Sequence, residues 1–515
     1  MEWESKKTLY RSEKLLMNIT VPLGNARWKQ KAKRFPDTVY TVEQILSAAG
    51  LCIDEQIREI REKATELVSG ICRVGSRFTK KCICVQLYED AVDLMPIAMK
   101  NGALFCITRR PVDGVPCIVV DDPSRVYADM CSLYRQEHIP VTAIVGSIGK
   151  TTAKKMLKAV YESQAATFCD TGNDNQLDCV GYICQHVPRK SKHWIQEVSE
   201  DTKGCVEHIS RVIRPDIAII TAIDKSHIEE FGSEQGILDE VGSIVKHMPA
   251  DGICITSMDE DNTANLIKDR KVVMVSLENH EADFYAKDIQ IQEAGLYFTV
   301  VERETGASHK AHLRDVFAVH NIYAALYAFA AGVHSGISRE NILRGISSYE
   351  ASGVRQNIWR TKGVTIYADC YNAVAKSVRS AVGAASLIPV RGKRVAVLGD
   401  IAETGDYAES THAEIVEIAN ESNFDVLIAY GEHICKAVDA YSHRESLYVI
   451  RCADRNALNR AVKEYVKNGD LVLFKASHSS GLEKTIAAVF PCSYWKKMWH
   501  YYWPQITWRF VVLFN

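Results

Sequence analysis

Seven consecutive residues, Gly146-Ser147-Ile148-Gly149-Lys150-Thr151-Thr152, carry the sharpest chemical signal in this chain. They follow VTAIV, a β-branched run, and precede KKMLKAVYESQ, a helical pattern. A glycine-rich turn between a strand and a helix is the context in which backbone N–H groups and a helix N-terminus cradle phosphates. Gly146, Ser147, Gly149 and Thr152 would shape that cradle. Lys150 would neutralise β/γ-phosphate charge, and Thr151 would offer its hydroxyl to Mg2+. The generic pattern has a glycine where this chain has Ile144, so it is only partly met. A magnesium ion also needs oxygen donors from neighbouring strand ends, which line the ligand crevice of open α/β sheets. Glu197, after HWIQ, and His227, after DIAIITAIDKS, have those positions. A carboxylate suits the ion, an imidazole less so. Asn173 and Asn175, in GNDNQ, could offer amides to a substrate.

The elements that must hold these residues follow from the apolar runs. The chain has 515 residues, 47% hydrophobic and 24% charged, with a net charge of -2. That composition is ordinary for a globular protein and gives no global push toward nucleic acid. Short runs such as ICVQL, ALFCITR and CIVVDD, then VTAIV and DIAIITAI, then RVAVLGD, FDVLIAYG and DLVLFKAS, read as strands. They alternate with helical patterns, and continuous apolar runs suit parallel sheets covered on both faces. The expected fold is α/β with three domains: a small α/β domain over 41–139, a central phosphate-loop domain over 140–340 and a Rossmann-like domain over 341–490. Residues 1–40 read as an extension. The apolar helix Ile322–Val333 is too short to span a bilayer.

The sixteen cysteines are scattered, with no C-x-x-C pair, and read as reduced, mostly buried thiols of a cytoplasmic protein. The start, MEWESKKTLYRSEK, is too charged for a signal peptide. The tail 491–515 holds Trp495, Trp499, Trp503 and Trp508 among Lys496, Lys497 and Arg509. It reads as a segment packed on its own protein or a partner, because Pro504 breaks any long amphipathic helix. Contact with a membrane interface is the alternative.

Taken in order, the blocks resemble the Mur ligase family of ATP-dependent amide-forming enzymes over about 140–490. GSIGKTT is similar to the family's G-S-x-G-K-T loop, and GNDNQ to its N-x-N stretch. EVSEDTKGCVEHISRVIRPDIAIITAIDKSHIEEFGS resembles the run from the metal-binding glutamate to A-H-L-E-x-F-G, which carries the magnesium role onto Glu197 and His227. VHNIYAALYA resembles the helix near the adenine and implies Asn321; GVRQ resembles the phosphate-contacting G-R motif and implies Arg355. ADCYNAVAKS implies that Asp369, Tyr371 and Asn372 reach the nucleotide. VLGDIAETGDYAESTH resembles L-G-D-M-x-E-L-G…H, and KASHSSGLE resembles K-G-S-R-x-M-x-L-E, which points to Lys475, Ser477 and His478 at the substrate. The uridine-seating D-S-R stretch has Gly75-Ser76-Arg77 as its counterpart, implying Ser76 and Arg77.

The resemblance implies ATP and Mg2+, an acyl-phosphate intermediate, and a peptide-nucleotide substrate, UDP-N-acetylmuramoyl tripeptide, joined to D-alanyl-D-alanine in peptidoglycan precursor synthesis. The chain departs from the pattern at several positions. The lysine that the family carbamylates to help hold a second magnesium falls at Val241, with Lys246 five residues on. A second asparagine is Ala324, an N-P pair is Val374-Ala375, and an arginine is His478. These departures keep two other readings in view: a paralogous ligase joining a different acid and amine, or a nucleotide-binding scaffold. Oligomeric state is not legible from the sequence.

Overall fold

The apolar runs pair into three sheets in the computed structural model, which describes residues 36–497 apart from 37, 52–57, 75–78, 89–93, 171–174, 224–227, 261–263, 268–269, 293, 352, 403 and 495–496. The described residues fall in one unit, Phe35–Trp503. The sequence-based expectations for residues 1–35 and for the tail beyond 497 lie outside the described residues.

The first sheet holds β1 (Ile71–Arg73), β2 (Ile83–Val85), β3 (Phe105–Thr108) and β4 (Cys117–Val119), in that order and all parallel. The second comprises β5 (Val141–Val145), β6 (Thr167–Cys169), β7 (His193–Glu197), β8 (Ile217–Ile220), β9 (Ile253–Ser257), β10 (Lys271–Ser276), β11 (Phe284–Gln292), β12 (Gly295–Glu302) and β13 (Ser308–Arg314). Its order is β13-β12-β11-β10-β9-β8-β5-β7-β6. The third comprises β14 (Asn357–Thr361), β15 (Val364–Asp369), β16 (Arg394–Gly399), β17 (Val426–Tyr430), β18 (Tyr448–Cys452) and β19 (Leu471–Lys475), in the order β14-β15-β19-β16-β17-β18.

The buried parallel strands expected from continuous apolar runs are present. β5 and β8 are buried at every residue. The second sheet continues beyond them as an antiparallel ladder, β11-β12-β13, which the parallel reading did not include. Strand β11 alternates buried Phe284 and Ala286 with half-buried and exposed positions, the period-two pattern of a one-sided antiparallel strand.

Helix Lys150–Glu162 follows β5 and buries Ala153, Met156, Leu157, Val160 and Tyr161, a stripe at helical spacing. It packs with the apolar helix Asn321–His334 in one core. Helix Arg339–Ser348 adds Ile342 and Ile346 to that same core. Gly345 makes this approach close: a Cβ there would stand 2.4 Å from Val160 Cα. A division at 340/341 would therefore cut through a helix that packs with the central sheet. Among the described residues no helix is long and apolar enough to cross a membrane.

Candidate functional site

The β5 strand ends at Val145, and the chain turns at once into helix Lys150–Glu162. Gly146 makes the turn with φ 125°, and a Cβ there would lie 2.5 Å from Thr221 Oγ1. Only glycine fits that approach. Gly149 caps the helix at φ 92°. The N–H groups of Ser147 and Ile148 both donate to the Ala222 carbonyl, which moors the turn to the end of β8. The first-turn amides of the helix follow, the groups that have no partner within their own helix and suit an anion. Thr152 is bonded to Tyr349 through its hydroxyl.

Lys150 points back over the turn. Its Nζ donates to Glu200 at 2.7 and 2.8 Å and also to the Gly146 carbonyl. Burial pushes the Glu200 carboxyl up, while Lys150 opposes that rise. Thr151 Oγ1 donates to Glu197 Oε1 at 3.2 Å, and Asn175 Nδ2 reaches the same oxygen at 3.3 Å. Lys154, one turn beyond Lys150, is buried between two carboxylates: Glu197 Oε2 at 3.0 Å and Asp170 Oδ2 at 3.2 Å. Burial alone would raise the Glu197 carboxyl, but the ammonium groups of Lys154 and Lys150 outweigh it and hold it below the usual range. Burial lowers the next lysine, Lys155, to about 8, with Arg355 and Lys154 adding to the effect.

The residues that could hold a divalent cation are thus Thr151 and Glu197. The donor set fits Mg2+: a carboxylate kept ionised at neutral pH and a hydroxyl, both hard oxygens, beside a phosphate-type turn. His227 and Asn173 lie outside the described residues, as do Ser76 and Arg77. Val241 is fully buried in the core and offers no ligand atom. Lys246 does not replace the missing lysine, because it is exposed and held by Glu207 at 2.5 Å.

The third sheet brings its own strand ends together. Asp369 at the end of β15 and Lys475 at the end of β19 are register partners and pair at 3.0 Å. Lys475 is buried and also donates to the Asn372 carbonyl at 2.7 Å. Its position is therefore that of a residue that fixes Asp369 and the Asn372 backbone. Ser477 Oγ accepts from the Ala402 N–H, tying the loop after β19 to the loop after β16. Arg355 lies 3.7 Å over the Tyr371 ring, and Tyr371 stacks on His478 at 5.3 Å. The Arg355 guanidinium adds a small lowering effect on the Glu197 carboxyl. Asn321 Nδ2 donates to Gln356 Oε1 at 2.8 Å, and the Gln356 backbone N–H donates to Asp369. Those bonds couple helix Asn321–His334 to β15.

The sequence reading missed Glu200, Lys154, Asp170 and Gln356. Asp170 follows the end of β6, so the strand-end rule that singled out Glu197 could have found it. Glu200 competes with any phosphate for Lys150. Glu200→Gln is expected to lower the KM for ATP about threefold to tenfold, the worth of weakening one charged hydrogen bond. An unchanged or raised KM would show that Glu200 does not compete.

The family description "Mur ligase middle domain" matches residues 144–332, and "Mur ligase, glutamate ligase domain" matches 354–478. The chain is 30% identical over 405 residues to the UDP-N-acetylmuramoyl-tripeptide–D-alanyl-D-alanine ligase of Bacillus subtilis, covering 77% of this chain and 87% of that protein. The Escherichia coli ligase of the same name is 27% identical, over 80% of this chain and 92% of its own. Among solved structures, MurF from Acinetobacter baumannii superposes with a TM-score of 0.73 at 22% identity, covering 88% of this chain and 99% of that one. MurF from Thermotoga maritima in complex with ADP gives 0.71 at 20% identity, over 83% and 98%.

Proposed function

Because the chain belongs to the Mur ligase family, we propose that it is an ATP-dependent, ADP-forming ligase that joins D-alanyl-D-alanine to the terminal carboxylate of a UDP-N-acetylmuramoyl tripeptide. The observation that carries this reading is the convergence of Lys150, Thr151 and Glu197 at one phosphate-type turn.

In this reaction the tripeptide carboxylate attacks the γ-phosphorus of ATP, and the bond to the ADP oxygen breaks. The dipeptide amine then attacks the acyl carbon of the acyl phosphate, phosphate leaves, and an amide remains. The protein's share is positioning and charge stabilisation. Lys150 leaves Glu200 and follows the β/γ-phosphates. The first-turn amides of helix Lys150–Glu162 and the Arg355 guanidinium hold the equatorial oxygens. Thr151 and Glu197 hold Mg2+, which supplies charge neutralisation on the phosphates when bound. Lys154 keeps Glu197 ionised and aimed. Asn321, Asp369, Tyr371 and Asn372 contact the nucleoside side of ATP; Asn173, Asn175, Ser477, His478, Ser76 and Arg77 serve the acid and amine substrates. His227 joins the metal side of the site. The protein acts in the cytoplasm, where ATP and reduced thiols coexist.

Val241 favours a second reading, a nucleotide-binding scaffold that has lost turnover, and the departures in the first domain favour a paralogous ligase that joins a different acid and amine. One assay separates these. Purified protein with ATP, Mg2+, UDP-N-acetylmuramoyl tripeptide and D-alanyl-D-alanine is expected to release phosphate only when both substrates are present. Release with some other acid and amine, but not with this pair, would overturn the substrate assignment. Tight nucleotide binding with no release from any pair would overturn the ligase reading.

A further inference from the structure

The cysteines that look scattered along the chain are gathered by the first sheet. Parallel register pairs Cys72 with Cys84, Cys84 with Cys106, and Cys106 with Cys117, one cysteine from each of β1 to β4. Register partners project from the same face, and Cys82 joins that face from two residues before Cys84. The opposite face carries Ile71, Ile83, Val85, Phe105 and Ile107 into the main core. The cysteine face instead forms a small separate core with Val74, Met95 and Val115.

Three of these sulfurs form a closed triangle. Cys72 Sγ lies 3.5 Å from Cys82 Sγ and 3.7 Å from Cys84 Sγ, and Cys82 and Cys84 are 3.6 Å apart. A tetrahedral metal thiolate with bonds of about 2.3 Å has a sulfur–sulfur edge of about 3.8 Å. The triangle therefore matches one face of such a tetrahedron to within a few tenths of an ångström. Cys106 is next in the row and interacts with Cys84, but it stands outside the group of three whose sulfurs all lie within 4.8 Å of one another. All four residues are buried. The chain enters Cys82 through a tight turn at Lys81, φ 62°, and the backbone N–H groups of Thr79 and Cys82 face the Cys82 sulfur. Amide donors of that kind support a thiolate bound to a metal.

We propose that Cys72, Cys82 and Cys84 bind one Zn2+ ion as a structural site of the first sheet, with Cys106, the next thiol in the row, as the candidate fourth ligand. Each ligating thiol gives its proton to solvent as its zinc–sulfur bond forms, with no change of oxidation state. The ion ties β1 to β2 on the face opposite the main core. It is separate from the Mg2+ assigned to Thr151 and Glu197, whose oxygen donors suit a harder cation.

The test uses the full chain, purified under reducing conditions with excess Mg2+ and no polyhistidine tag. Elemental analysis is expected to find about one zinc per chain. Replacement by Cd2+ is expected to produce a thiolate-to-cadmium charge-transfer band, and Zn2+ is expected to raise the thermal unfolding midpoint by mass action. C82S/C84S should lower zinc content at least about tenfold, while C452S, in the third sheet, should leave it unchanged. If the double variant fails to fold, the zinc content and cadmium band of the unmodified chain decide. Absence of zinc and of the band would overturn the site. So would full zinc retention in C82S/C84S, or a mass two hydrogens short that marks a disulfide within the cluster.

Discussion

Replacing Lys150 by alanine is expected to cut ATP-dependent phosphate release by about 10²–10³-fold, the cost of losing one pre-aimed charge donor in a dry site. The fold should survive. Lys150 lies at the start of its helix, and its apolar neighbours Ala153, Met156 and Leu157 carry the packing. Its partner Glu200 would lose its cation, but burial already raises that carboxyl, and it can take up a proton rather than remain a bare buried charge. Steady-state phosphate release with circular dichroism on the same sample checks both halves. Turnover equal to the parent chain would remove Lys150 from the mechanism.

Glu197→Gln is expected to cost both activity and stability. The carboxylate accepts from Thr151 and Asn175 and faces Lys154 at 3.0 Å with almost no solvent contact. Losing it removes the candidate magnesium anchor and takes one of the two carboxylates, Glu197 and Asp170, from Lys154. The stability cost should be about 1–3 kcal/mol, because one carboxylate of the buried group remains. Activity should fall at least about tenfold and require more Mg2+ for half-saturation. The pH response has a definite sign. The folded carboxyl titrates below its ordinary value, so its stabilisation is complete above the unfolded value and is lost as pH falls through the folded one. The Gln variant should lack that acid limb in thermal unfolding. Full activity of the parent chain in excess EDTA would refute the metal assignment.

The phosphate turn was legible because its physics is local: a β-branched strand, two glycines, a lysine and a helical stripe stand next to one another in sequence. The strand end Glu197 was legible for a related reason, since apolar runs mark strands and their C-termini mark the crevice, whereas Asp369 and Lys475 were reached only through the family resemblance. What escaped depends on strand order. Lys154 reads as an ordinary helix lysine until β6 and β7 bring Asp170 and Glu197 to it from two separate stretches of chain. Glu200 stands three residues past a strand, and nothing in its neighbours says that it will reach Lys150. The antiparallel β11-β12-β13 ladder had a signal, the alternation in FYAKDIQIQ, which the emphasis on continuous apolar runs passed over. The cysteine row is the clearest case. ICR, ICV, FCIT and CIV each place a cysteine at one position of a short strand, yet only the register aligns them on one face.

The central claim is that residues 146–152 grip a nucleotide's phosphates, and a crystal structure with a non-hydrolysable ATP analogue and Mg2+ tests it most directly. The account predicts the β- and γ-phosphates on the first-turn amides of helix Lys150–Glu162, with Lys150 Nζ moved from Glu200 onto a phosphate oxygen. A turn left bare, with Lys150 still paired to Glu200 and the analogue bound elsewhere, would contradict it.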